Sequence, residues 1–168
     1  MTRICASRFL LSLALLCFGV TSASAASVGA SLLTQQHPFY TALSQALVSE
    51  AKTEGLPLEV AIANQDLNKQ LADVEDFITK GVDVIIISPV DSSGVKSAIR
   101  NATKAGIKVI TIDVPATGVE VTSHIGTDNF AGGVKAGELM VQVLNGKGNV
   151  AIIDYPTLQS VADRVRGF

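Results

Sequence analysis

The chain has 168 residues, 48% of them hydrophobic and only 5% aromatic, with a formal net charge of −2 and no tryptophan. A mildly acidic chain without a basic run is a poor match for nucleic acid or for an anionic membrane surface. Both cysteines, Cys5 and Cys17, lie near the N-terminus, so zinc-thiolate sites and a disulfide-held core are excluded from the remainder.

Residues 1–25 read as a cleavable signal peptide. Arg3 and Arg8 stand without an acid, Phe9 to Val20 is an almost unbroken apolar run, and Ala23-Ser24-Ala25 supplies small residues where a signal peptidase cuts, after Ala25. Leu16 precedes Cys17 where a lipidation signal wants a small residue. Cleavage moves the formal charge from −2 to −4 by removing the two arginines. No later segment approaches the length of a membrane span.

From Ser27 onward strand and helix patterns alternate, which is how a parallel sheet with helical crossovers is written in sequence. Val28 to Leu33 is expected as a strand and Pro38 to Glu54 as a helix, with Phe39, Leu43, Ala46, Leu47 and Ala51 at inward spacings and Gly55 ending it. Leu58 to Ala63 follows as a strand. Asn68 to Lys80 follows as a helix with Leu71, Val74, Phe77 and Ile78 inward, stopped at Gly81. Val82 to Ile87 is apolar except for Asp83, as a strand covered on both faces would be. Asp91, Ser92 and Ser93 can cap a helix from Gly94 to Ala105, and Ile107 to Ile112 is the fourth strand. Beyond Ile112 a loop leads to a short strand at Val121 to Ile125, a helix at Asn129 to Leu144, a further strand at Lys147 to Asp154 and a loop opened by Tyr155-Pro156.

In open parallel sheets ligands sit beyond the carboxyl ends of the strands, where loops converge and helix N-termini present free N–H groups. Here those loops are Thr34 to Pro38, Ser88 to Asp91, Asp113 to Pro115, Thr127 to Asn129 and Tyr155 to Arg164. Their hydroxyls, amides, carboxylates and nearby aromatics suit a neutral polyol, whose ring offers hydroxyls at its edge and C–H surface above and below. Neither a P-loop nor a glycine-rich dinucleotide turn follows the first strand, so no nucleotide cofactor is expected. A lone histidine such as His37 or His124 makes no metal site. No Ser/His/Asp or Cys/His set stands in motif context, and Asp113 with Asp128 has no spacing that implies paired acid–base work, so no enzyme is expected.

Several motifs in order resemble the ribose-binding type of periplasmic substrate-binding protein, whose two lobes clamp a sugar and feed an ABC importer. They are Pro38-Phe39-Tyr40, Ser88-Pro89-Val90-Asp91, Val109-Ile110-Thr111-Ile112-Asp113, Ser123-His124-Ile125-Gly126-Thr127-Asp128-Asn129 and Arg164-Val165-Arg166-Gly167-Phe168. The resemblance implies an α/β fold: a parallel-sheet three-layer lobe of the type I periplasmic-binding-protein fold, with the start of a second similar lobe. On that reading residues 26–126 are the N-terminal lobe without its returning segment, and residues 127–168 begin the C-terminal lobe. The helix at Asn129 to Leu144 would then leave Phe130, Val134, Met140, Val141 and Leu144 with little to cover them.

The same resemblance assigns ligand contacts to His37, Phe39, Tyr40, Ser88, Asp113 and Arg164. Phe39 and Tyr40 match the aromatics that sandwich the sugar ring. His37 stands where the family often has an asparagine, Ser88 matches a polar contact, Asp113 matches the carboxylate that takes sugar hydroxyl protons, and Arg164 matches the second-lobe arginine. Ribose binders follow the aspartate with an arginine; here that place is Val114. Each residue also has a plainer role open to it. Phe39 could be core, Asp113 a turn residue, His37 a loop residue and Arg164 solvated surface, while Asp128 and Asn129 can cap the following helix. Tyr40 is the aromatic better placed to face the crevice, since consecutive helical positions cannot both point at one core.

The implied function is non-catalytic capture of a monosaccharide or related polyol in the periplasm for delivery to a membrane permease of an ABC importer. The alternatives are a sugar-sensing partner of a chemoreceptor or sensor kinase, and an exported α/β enzyme. A repressor of the lactose type shares the fold but needs a helix-turn-helix where the leader stands.

Overall fold

Five parallel strands lie in one sheet in the order β2-β1-β3-β4-β5, where β1 is Val28–Leu32, β2 Leu58–Ile62, β3 Val84–Ile87, β4 Lys108–Ile112 and β5 Ser123–Ile125. The computed structural model describes residues 26–168; the leader read from residues 1–25 lies outside the described residues. Helices α1 (Pro38–Thr53), α2 (Leu67–Lys80) and α3 (Lys96–Lys104) make the crossovers between successive strands. Because β1 sits between β2 and β3, the chain leaves β1 and β3 in opposite directions across the sheet. The carboxyl edge between those two strands is therefore the crevice of a doubly wound fold.

The register puts Gly29, Ile85 and Val109 in one row and Ser31, Ile87 and Thr111 in the next. This face carries the main core, in which Val74 and Phe77 of α2 and Ala98, Ile99 and Ala102 of α3 pack on Ile85, Ile87 and Val109. Gly29 is required there, because a Cβ on it would come within 2.5 Å of the Phe77 ring. Burying a ring such as that of Phe77 contributes about 2–3 kcal/mol. A second cluster of Leu33, Tyr40, Ala63, Val90 and Val114 gathers at the carboxyl ends of the strands, with Leu43 and Leu158 packed against it.

The inward stripes differ from those the hydrophobic pattern suggests. In α1 the buried residues are Tyr40 and Ala51, while Phe39 and Ala46 are exposed. In α2 Gln70 and Asp73 join Val74 and Phe77 in the buried stripe, and Leu71 and Ile78 flank it. Asp66 caps α2, its Oδ1 accepting from the Asn68 and Lys69 N–H groups at 2.8 and 3.2 Å.

Beyond β5, α4 (Asn129–Val143) packs on α5 (Gln159–Gly167). The two helices approach backbone to backbone. A Cβ on Gly133 would overlap the Arg164 carbonyl, and one on Gly137 would come within 2.8 Å of the Phe168 carbonyl oxygen. Phe130 and Val141 of α4 stay exposed, as expected, and Met140 and Leu144 are half-buried. The strand expected at Lys147 to Asp154 is not formed: residues 147–154 are irregular and carry exposed Val150, Ile152 and Ile153. The alternating pattern is present, but a strand exists only where a neighbour takes its backbone N–H and C=O groups, and no strand among the described residues lies alongside. No helix of the described residues is long and apolar enough to cross a membrane.

Candidate functional site

Asp113 follows β4 directly, in a left-handed conformation with φ 62°. The Val114 N–H reaches back to the Ile112 carbonyl at 2.7 Å, closing a three-residue turn around it, and the Asp113 N–H is held by the Ile125 carbonyl at 2.8 Å. Such a turn is rare and strained for a residue with a side chain. Its effect here is to aim the carboxylate back across the carboxyl edge of the sheet toward α1. Asp113 Oδ2 accepts a hydrogen bond of 2.5 Å from the Tyr40 hydroxyl. Ser88 Oγ lies 3.3 Å from the same phenol oxygen, and since the Tyr40 proton is committed to Asp113, Ser88 is the donor.

Burial, first, and the bond to the Asp113 carboxylate, second, push the Tyr40 phenol well above its ordinary value, so it stays protonated as a donor. Asp113 Oδ1 has no hydrogen-bond partner among the described residues, and no unpartnered polar side-chain atom is buried, so this oxygen faces solvent. One carboxylate oxygen is thus fixed by the protein and the other is presented to the crevice.

Beneath it lies a buried polar network. Gln70, fully buried, donates from Nε2 to the Ser88 carbonyl at 2.9 Å and accepts the Val90 N–H on Oε1 at 2.8 Å. Ser31 donates to Asp73 Oδ2 at 3.1 Å, and Lys69 pairs with Asp73 Oδ1 at 2.6 Å. One α2 side chain therefore fixes the loop after β3. The signal available in the sequence was the position of Gln70 and Asp73, each four residues before an inward apolar residue, Val74 and Phe77 respectively, and so on the face that must turn inward.

The remaining expected residues are placed as follows. His37 is the N-cap of α1, its Nδ1 accepting the Phe39 N–H at 3.2 Å. Phe39 is 47% exposed and meets the Tyr40 ring edge-on with centroids 5.2 Å apart. Ser88 is fully buried and reaches the crevice only through Tyr40. Arg164, on α5, donates to Asn129 Oδ1 at the start of α4 and makes no hydrogen bond to the Tyr40–Asp113–Ser88 cluster. Tyr40, Ser88 and Asp113 are thus joined by hydrogen bonds, His37 and Phe39 stand beside Tyr40 at the start of α1, and the hydrogen bond of Arg164 goes to Asn129 instead. Asp128 caps α4 through a 2.9 Å bond from the Ala131 N–H.

The loop after β3 also reaches the end of the chain. Asp91 Oδ1 accepts the Gly94 N–H at 2.7 Å and the Ser93 N–H at 2.9 Å, and the Gly94 bond foremost holds its carboxyl below the ordinary range. Ser92, buried, bonds through its N–H to the Thr157 carbonyl at 3.0 Å, and Leu158 enters the cluster around Tyr40. Among the described residues no three or more His, Cys, Asp or Glu side chains gather closely enough to hold a metal ion.

An open, all-parallel α/β lobe that presents a carboxylate oxygen, a hydroxyl relay and an exposed aromatic at its switch point has the architecture of a ligand-binding lobe. The chain belongs to the periplasmic binding protein domain family, whose model matches residues 28–168. A ribose import binding protein of Bacillus subtilis is 34% identical over 143 residues, covering 84% of this chain and 47% of that protein. An ABC transporter solute binding protein from Mycobacterium smegmatis, solved with bound glycerol, is 40% identical with a TM-score of 0.78 over 86% of this chain and 50% of that one. The Caulobacter myo-inositol binding protein bound to myo-inositol is 28% identical with a TM-score of 0.81, again over 86% and 50%. The chain spans about half the length of the curated relatives it matches.

Proposed function

We propose that this chain belongs to the substrate-binding component of an ABC-type sugar importer, captures a monosaccharide or related polyol in the periplasm without catalysis, and hands it to a membrane permease. Residues 1–25 are the leader that exports it, residues 26–126 the first lobe and residues 127–168 the start of the second. The observation that carries this reading is the Asp113 carboxylate, held by Tyr40 on one oxygen and open on the other. An open carboxylate oxygen takes the proton of a sugar hydroxyl in a charge-assisted bond.

Around it, Phe39 supplies an exposed aromatic face for the C–H surface of a ring, and His37 stands at the same helix start. Tyr40 and Ser88 hold the carboxylate from beneath. Arg164 serves the other wall once its Asn129 partner is exchanged for ligand. Among the described residues no lysine or arginine is bonded to Asp113, and Val114 is buried beside it, which favours a neutral ligand over an anionic one.

A thermal-shift screen of the purified chain against pentoses, hexoses, inositols and sugar alcohols tests this, since a ligand of the folded state raises the melting temperature by mass action. A selective rise with one or a few of them is expected. A flat response to all of them contradicts the proposal.

A further inference from the structure

We infer that His124 is a positioning residue for Asp113: its ring, anchored to buried Thr111, holds the chain at Ile125 and Gly126 against the turn that aims the carboxylate. The inference rests on the sugar-binding reading and deepens it by naming a residue that acts on the ligand through Asp113.

Asp113 leaves β4 in the left-handed region, with φ 62°. A residue with a side chain keeps such a conformation only where its surroundings over-determine it. One restraint is the bond from the Asp113 N–H to the Ile125 carbonyl at 2.8 Å. That carbonyl belongs to β5, which is three residues long, outermost in the sheet and exposed throughout. A strand so placed is among the first elements of a fold to open locally.

His124 supplies what the strand lacks. It stands opposite Thr111 in the register, and its Nδ1 lies 2.9 Å from the hydroxyl of that fully buried residue. Either tautomer makes the bond, since a hydroxyl both donates and accepts. The far edge of the ring folds back over Gly126. A Cβ there would come within 2.6 Å of His124 Nε2 and within 3.1 Å of the Asp113 carbonyl oxygen. The imidazole, Gly126 and the Asp113 backbone thus pack around one point. Without the ring that point opens, the bond to Ile125 frays, and the turn relaxes so that the carboxylate loses the aim at which it meets Tyr40. Among the described residues His124 bonds to Thr111 and not to Tyr40, Ser88 or Asp113, so its influence on a ligand must pass through the backbone.

The test is calorimetric titration of the purified chain with D-ribose, D-glucose and myo-inositol. The wild type, His124→Ala and Thr111→Val are each compared with and without Asp113→Asn, and amide hydrogen exchange at Asp113 is followed without sugar. His124→Ala should weaken binding about tenfold while Asp113 is present, the size of one hydrogen bond to a charged acceptor. In the Asp113→Asn background the same change should have less than about a threefold effect, because two substitutions acting on one interaction do not add. Thr111→Val removes the anchor while keeping the shape, and should weaken binding in the same Asp113-dependent way. The Asp113 amide should exchange faster in His124→Ala while amides of β1 and β3 stay protected. Equal weakening in both backgrounds, or an Asp113 amide that exchanges as in the wild type, overturns the inference and leaves sugar binding standing. Absence of binding by the wild type to every probe overturns the sugar-binding reading and this inference with it.

Discussion

Ser92 caps a helix to which it does not belong: its Oγ accepts the Gln159 N–H at 2.9 Å, at the first residue of α5. The helix has no cap of its own, since the residue before it is Leu158. The Ser92 carbonyl meanwhile accepts the Thr117 N–H at 2.7 Å. One buried serine therefore ties the loop after β3 to the loop after β4 and to the last helix. This contact brings the final segment against the mouth of the crevice.

Ser92→Ala should lower stability by about 1 kcal/mol, the usual worth of an N-cap. The loss should be local. Hydrogen exchange at residues 159–162 should accelerate while amides of β1 and β3 remain protected, and equal exchange in variant and wild type would contradict the capping role.

Gln70→Leu should cost more, on the order of 3 kcal/mol, because it leaves the Ser88 carbonyl and the Val90 N–H buried without partners. Urea unfolding measures the loss. Because Ser88 supports the Tyr40 phenol, ligand affinity should fall as well, whereas an unaltered midpoint would show that the network contributes little.

Much of the fold was legible and parts of the site were not, for a physical reason. The strand–helix repeat, the helix stop at Gly81 and the loop positions of Ser88 and Asp113 follow from local pattern, because crossover units write their period into neighbouring residues. The choice between Phe39 and Tyr40 as the buried ring is tertiary. Nothing local shows that Tyr40 will meet a carboxylate more than seventy residues away. The inward Gln70 and Asp73 break the apolar stripe for the sake of distant partners, and Ser92 caps a helix that starts far along the chain. The Lys147 to Asp154 pattern fails in the opposite way, since its alternation is local but its pairing is not.

Gly133→Ala should separate α4 from α5, since the added methyl meets the Arg164 carbonyl and, at 3.0 Å, the Phe168 nitrogen. Overpacking of this kind costs about 1–3 kcal/mol. Limited proteolysis should then cut within residues 155–168 while the sheet stays intact. A cleavage pattern identical to the wild type would show that the helices adjust without parting.

The raised Tyr40 phenol gives stability a defined alkaline limb. Burial, and then Asp113, hold the folded group protonated above its ordinary value of 10.0. Below about pH 10 both folded and unfolded forms keep the proton and the contribution is fully present. Above it the unfolded chain releases the proton first, so stability falls as pH rises toward the folded value. Urea midpoints measured from about pH 9 to about pH 12 should decline more steeply in the wild type than in Tyr40→Phe. Parallel declines would contradict the assignment.

The central claim is that the open oxygen of Asp113 binds a polyol, and calorimetric titration of the best thermal-shift ligand into wild type and Asp113→Asn tests it most directly. Asp113→Asn can still accept from Tyr40 but loses the charge, so affinity should drop about tenfold or more while the fold is kept. Equal affinity in the two proteins would place the ligand elsewhere and contradict the account.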